Sequence, residues 1–326
     1  MRALRLLLLV VVVVASGLMV STAFAQQPKV FRIGWLSADL SENSPFFEAF
    51  RSGMRNLGYV EDRNVVFTAR WGEGSTERLG ELAAELVQLK PHIIVTQGGA
   101  TVQMMKAGAA APVVFGYSGD PVEAKLVESL AKPGRNFTGV SFLALDLVGK
   151  RMEVLKELMP AVKRVAVIGS PEHPGVQSEL RASQAAAKKL GVALDFFEVR
   201  NAGELESAFA GIAKSRSEAI VLFPDAITVR HRERISALAS KIGVPTVSGW
   251  AQFADSGSVL TYGPNLRDSY ARLAVYVDKI LKGAAPADLP VELPTTVEVV
   301  VNQKSAKALG ITVPQSVLLR ANRVID

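Results

Sequence analysis

A chain of 326 residues with no cysteine, 49% hydrophobic content and a formal net charge of +6 has neither disulfides nor thiolate nucleophiles nor cysteine-based zinc sites. Its basic excess is scattered over helix faces, with no basic run interleaved with aromatics, so nucleic acid is not an expected partner. Stability has to come from buried apolar surface.

Residues 1–25 read as a signal peptide. Arg2 and Arg5 precede the apolar run 6–14, and Ala23-Phe24-Ala25 supplies the small residues that signal peptidase needs before Gln26. The longer stretch, interrupted only mildly by Ser16, Gly17 and Ser21, also suits an uncleaved anchor, but the Ala-x-Ala end favours cleavage. Loss of Arg2 and Arg5 lowers the net charge by two, to +4. About 300 residues then remain, more than one core usually organises, so two lobes are expected. No later segment is apolar for long enough to span a bilayer, and no lipidation cysteine follows the signal, so a soluble periplasmic protein is expected.

From residue 30 onward, short β-branched runs alternate with helical patterns, as in a parallel sheet covered on both faces. Residues 30–36 read as a strand. Ser44-Pro45 starts a helix carrying Phe46, Phe47, Phe50, Met54 and Leu57, which Gly58 ends. A strand at 65–69 precedes a helix capped by Ser75 and stopped by Pro91. Strands at 92–96 and 113–115 follow, and Asp120-Pro121 is expected to open a helix to residue 130. The pattern restarts after Pro160, with strands at 164–169, 192–198, 219–223 and 244–247 and helices at 176–190, 205–213 and 229–242. A strand at 258–262, a helix at 270–281, a proline-rich connector at 284–294 and a strand at 296–301 fit a chain recrossing between two lobes. The expected boundaries are 26–143 plus 252–283 for the first lobe and 144–251 plus 284–326 for the second.

Ligands of parallel α/β sheets bind beyond the carboxyl ends of strands, where loops lead into helix N-termini. Here those ends read Ser37-Ala38, Gln97-Gly98-Gly99-Ala100-Thr101, Gly116-Tyr117-Ser118-Gly119-Asp120, Ser170-Pro171, Pro224-Asp225 and Ser248-Gly249-Trp250. Each tract alone is also an ordinary β-α turn, and Asp120-Pro121 is accounted for by helix capping. Tyr117 and Trp250 could stack on an aromatic ligand or pack into a core.

Catalytic signatures are thin. Gly116-Tyr117-Ser118-Gly119-Asp120 lacks the last glycine of a nucleophile elbow. The three histidines, His92, His173 and His231, read as structural or surface residues, with none placed to serve Ser118 as a base. No metal, nucleotide or other cofactor site is apparent.

Several longer stretches carry a family resemblance: Leu57-Gly58-Tyr59-Val60-Glu61, Asp120-Pro121-Val122, Asn136-Phe137-Thr138-Gly139-Val140-Ser141, and Lys150-Arg151 with Leu155-Lys156-Glu157-Leu158. The tail adds residues 276–283, Ala287-Asp288-Leu289-Pro290, Asn302 and Ala306-Lys307-Ala308-Leu309-Gly310. On these, the chain resembles the solute-binding proteins of ABC importers, in the family that includes tryptophan- and tyrosine-type binding proteins. The resemblance implies a type I periplasmic-binding fold: two Rossmann-like, doubly wound α/β lobes joined by three crossing strands. It also implies a monomer that holds a small amino acid or carboxylate, aromatic or not, between the lobes and presents it to an inner-membrane ABC permease. The pocket it implies comprises Ser37, Gly98, Gly99, Ala100, Thr101, Tyr117, Ser118 and Asp120, with Ser170, Asp225, Trp250 and Tyr262 opposite or at the hinge. The turn 97–101 departs from the Gly-Thr-Pro form common in the family.

Three other readings compete. A cytoplasmic sugar-sensing repressor shares the fold but needs a helix-turn-helix where the signal peptide stands. A secreted hydrolase needs a base near Ser118. A periplasmic sensor subunit differs only in its membrane partner.

Overall fold

The computed structural model describes residues 30–38, 44–73, 75–143, 145–173 and 175–326; the expected signal peptide lies outside them. Two sheets organise the chain. The first contains β1 (Phe31–Ser37), β2 (Val65–Trp71), β3 (Ile93–Gln97), β4 (Val113–Tyr117) and β5 (Phe137–Ser141), all parallel, in the order β2-β1-β3-β4-β5. Its helices are α1 (Pro45–Asn56), α2 (Thr76–Gln88) and α3 (Ala100–Lys106). The start signals work as the sequence implies: the Ser44 hydroxyl accepts from the Phe46 N–H at 3.3 Å and the Ser75 hydroxyl from the Arg78 N–H at 3.2 Å.

After α4 (Leu145–Leu158), the second sheet uses β6 (Arg164–Gly169), β7 (Ala193–Glu198), β8 (Ala219–Leu222), β9 (Thr246–Ser248), β10 (Leu260–Pro264), β11 (Val297–Asn302) and β12 (Arg323–Ile325). Its order is β12-β11-β10-β9-β8-β6-β7. The run β7-β6-β8-β9-β10 repeats the strand order of the first sheet, so the restart seen after Pro160 is a repeat of topology. Only the β10–β11 pair is antiparallel. Among the helices, α5 (Val176–Leu190) ends at Gly191, φ 66°, and α6 (Leu205–Ser215) follows. The expected helix 229–242 is two, α7 (Ala226–Arg230) and α8 (Arg232–Ile242), because Asp225 starts helical structure early and the backbone turns off axis at His231. The short α9 (Gln252–Asp255) precedes β10.

The chain crosses between lobes three times, near residues 142–145, 264–266 and 293–296. The strand β10, expected with the first lobe, pairs in the second sheet, while α10 (Leu266–Leu281) packs on α1 and on β4 and β5 of the first. That helix begins four residues earlier than its periodicity suggests, because the Asn265 side chain accepts from the Asp268 N–H at 3.1 Å. The connector, expected with the second lobe, lies along β5. Glu292 N–H donates to Gly139 C=O, Ser141 N–H to Glu292 C=O, and Thr138 Oγ1 to Leu289 C=O at 2.6 Å. The chain then returns to form β11, α11 (Gln303–Ala308) and α12 (Gln315–Leu318).

Residues 121–130 are turns and not the expected helix. Asp120 does cap, its Oδ1 accepting from Val122 and Glu123 N–H, but Lys125 takes a left-handed backbone, φ 59°, after a single turn. Glu128 N–H then bonds Pro133 C=O and folds the segment back. The first lobe is held by two clusters, one around Trp35, Phe50 and Tyr276, the other around Ile94, Phe115 and Tyr117. In the second, Val167, Val221 and Val301 pack on one face of the sheet and Ile168, Phe209 and Leu222 on the other.

Candidate functional site

A narrow recess opens between the lobes beside the crossings, with room inside for little more than a water-sized group. Ser118 contributes from the first lobe, Phe142 and Leu143 from the first crossing, and Pro264 from the second. The other lobe supplies Leu147, Val148 and Arg151 on α4, Glu179 on α5, and the loop residues Pro224 and Trp250. The walls therefore mix apolar side chains with one hydroxyl and one pair of opposite charges.

Trp250 follows β9 and is half-buried, packing against apolar clusters of both lobes. Among the described residues, two polar contacts bridge the lobes. Ser118 Oγ lies 2.8 Å from His173 Nε2, and the Arg230 guanidinium donates to the Glu73 carbonyl in the loop after β2. Gly175 matters at this closure: a Cβ there would stand 3.0 Å from Ser118 O and 3.2 Å from Leu143 Cδ1. His173, expected to be structural or at the surface and away from Ser118, is half-buried and stands against that hydroxyl, because the loop after β6 folds over the end of β4. Burial pushes its pKa down, and the Asp225 carboxylate opposes this in part.

The charged pair is buried as well. Arg151 is 4% exposed and Glu179 6%. Arg151 Nη1 donates to Glu179 Oε1 at 3.0 Å, and its Nε donates to the Tyr262 carbonyl at 3.1 Å. Burial pushes the Glu179 carboxyl above the ordinary carboxylate range, and the Arg151 guanidinium pulls it back. Each residue occupies the buried stripe of its helix, Arg151 beside Val148, Met152 and Leu155, and Glu179 beside Val176 and Ser183. That pattern, a lone charge on an apolar stripe in two consecutive helices, is the sequence signal that would have found them.

Of the residues expected at the pocket, Ser118 and Trp250 line this recess. Ser37 is buried at the end of β1 and donates to Gln97 Oε1 at 2.7 Å. Gly98 and Gly99 stand in open space before α3, while Ala100 is buried and Thr101 is buried against Thr96 Oγ1 at 2.9 Å. Tyr117 is in the core, edge-on to Phe115, with no partner for its hydroxyl among the described residues. Asp225 is consumed locally. Its carboxylate accepts from Ile227, Thr228 and Ser170 N–H at 2.8, 2.8 and 2.9 Å, capping α7 and tying together the loops after β6 and β8. Ser170 Oγ accepts from the Glu172 N–H at 3.3 Å. Tyr262 reaches the site through its carbonyl, and its half-buried ring packs against the second lobe.

The family model for ABC transporter substrate binding proteins matches residues 45–325. The chain belongs to that family. Its fold is the two-lobed periplasmic-binding fold implied by the resemblance, and it is a solute-binding protein, not an enzyme. An ABC protein from Streptococcus pneumoniae in complex with L-Trp is 26% identical, with a TM-score of 0.85 over 91% of this chain and 100% of that one. A conserved domain protein from Vibrio cholerae is 27% identical, with a TM-score of 0.84 and the same coverage. The tyrosine-binding protein of Clostridioides difficile is 22% identical over 264 residues, 80% of this chain and 75% of the relative. Among the described residues, no helix is long and apolar enough to cross a membrane, and no cluster of metal-ligating side chains occurs.

Proposed function

We propose that this protein is the periplasmic, monomeric component of an ABC importer that captures an amino acid or small carboxylate, aromatic in the best case, and hands it to an inner-membrane permease. The observation that carries this reading is the recess itself, with walls drawn from both lobes and Trp250 half-buried against both. A solute touching both lobes favours the form in which they are closed, which a permease can read. The family assignment and the relatives' ligands, L-Trp and tyrosine, support this solute class. Export rests on Ala23-Phe24-Ala25.

Thermal unfolding in the presence of single amino acids and aromatic acids tests the reading. A ligand at ~100 times its dissociation constant stabilises by about 2.7 kcal/mol. Trp250→Ala is expected to abolish that gain while the variant still unfolds cooperatively. If no amino acid or carboxylate shifts the transition of the wild-type protein, the reading fails.

A further inference from the structure

The proposed solute site has a polar end that the strand-end turns do not supply. Arg151 and Glu179 share one bond, Nη1 to Oε1, and Arg151 Nε is taken by the Tyr262 carbonyl. Arg151 Nη2 and Glu179 Oε2 have no hydrogen-bond partner among the described residues. Neither is sealed within protein, and both residues line the recess. A buried ion pair normally has its remaining donors and lone pairs satisfied, because leaving them unmet is costly. Here one donor and one acceptor of opposite charge are left over on a bonded pair that lines the recess.

The guanidinium is also held in place for this. Its Nε is fixed to β10 at the second crossing, and it lies so close to Gly249 that a Cβ there would stand 2.3 Å from Nη2. Arg151 therefore cannot swing out to solvent without losing three sets of contacts at once.

We infer that Arg151 and Glu179 are the specificity-determining residues of the recess and restrict it to zwitterionic ligands, with the carboxylate on Arg151 Nη2 and the ammonium on Glu179 Oε2. The ligand's apolar body then lies against Phe142, Leu143 and Trp250. A plain carboxylate would be attracted by Arg151 but set against Glu179, and a plain amine the reverse. Like charges brought together in a desolvated site are strongly disfavoured. The inference rests on solute binding in this recess and narrows its class from carboxylates in general to α-amino acids.

Titration calorimetry with L-tryptophan, tryptamine and indolepropionate, and with L-tyrosine, tyramine and desaminotyrosine, tests it on the full mature chain. At least one amino acid should bind, with both of its singly charged analogues weaker by ~30-fold or more. Glu179→Gln keeps a hydrogen-bonding side chain of the same size. It should narrow the gap between the amino acid and its deaminated analogue by ~10-fold or more, with the gap to the decarboxylated amine changed far less. Gly249→Ala, which displaces Nη2 without removing a charge, should weaken the amino acid and its deaminated analogue alike. Equal affinity for an amino acid and its deaminated analogue, or an unchanged ratio in folded Glu179→Gln, would overturn the inference. Binding of a plain carboxylate with no amino acid bound overturns it too, yet leaves solute capture standing. A folded protein that binds no solute at all overturns both.

Discussion

Lowering the pH is expected to unlatch the two lobes through one imidazole. His173 Nδ1 accepts from the Gly175 N–H at 3.2 Å, so the neutral ring carries its proton on Nε2 and donates it to Ser118 Oγ at 2.8 Å. A second proton would have to sit on Nδ1, facing the Gly175 N–H. Burial already depresses the pKa, more than the Asp225 carboxylate raises it. In the open form the ring meets water and titrates near the ordinary 6.5. The sign follows. Above that value both forms are neutral and the latch is intact; as pH falls below it, the open form gains a proton that the closed form takes up less readily. At pH 5.5 this linkage favours the open form by up to about 1.4 kcal/mol, a limit of about tenfold in the closing equilibrium. Amide hydrogen exchange of segment 170–178, corrected for the intrinsic rate, should show protection falling from pH 7.5 to 5.5, by up to about tenfold. In His173→Gln, whose amide still donates to Ser118 but does not titrate, protection should be flat. Protection independent of pH in the wild type, or an equal fall in His173→Gln, would refute the latch.

Asp225→Ala removes the acceptor for three N–H groups and should cost about 2–3 kcal/mol in denaturant unfolding, whereas Asp225→Asn, which keeps one oxygen, should cost about half as much. Gly139→Ala should destabilise the first lobe by on the order of 3 kcal/mol, visible as a lowered midpoint of thermal unfolding. Gly139 has φ 151°, and an added Cβ would fall 2.0 Å from Phe115 O on the neighbouring strand.

Most of the fold is legible in the sequence because its signals are local. Ser44-Pro45, Ser75, Gly191 and Gly243 mark helix ends, and β-branched runs mark strands that are buried on both faces. Legibility fails where a distant contact decides. The strand β5 contains Gly139, which weakens a strand pattern, and it is needed because the backbone of β4 comes too close for a side chain. Asp120-Pro121 promises a helix that the Lys125 turn ends at once. At the site the strand-end turns mislead for a related reason. Asp120 and Asp225 are spent on their own turns, while the charges lining the recess come from helix stripes that periodicity assigns to the core. A buried charge and a buried leucine occupy the same place in a hydrophobic pattern, and only the facing helix tells them apart.

The lobes meet through few contacts, and that has a functional consequence. Among the described residues, two polar contacts join the lobes, Ser118 with His173 and Arg230 with the Glu73 carbonyl, plus the Trp250 ring. A hydrogen bond adds about 1 kcal/mol net, and a half-buried ring a few kcal/mol at most, so these contacts hold the closed form only weakly against the open one. A solute bridging the lobes then needs only a modest difference in affinity between the two forms to set the population. Arg151 ties that event to the frame: its guanidinium joins α4, just after the first crossing, to α5 and to β10, just before the second. A ligand held by Arg151 therefore binds to the part of the second lobe from which both crossings depart, so the closing motion turns about the ligand's polar end and brings Ser118 down onto its apolar body.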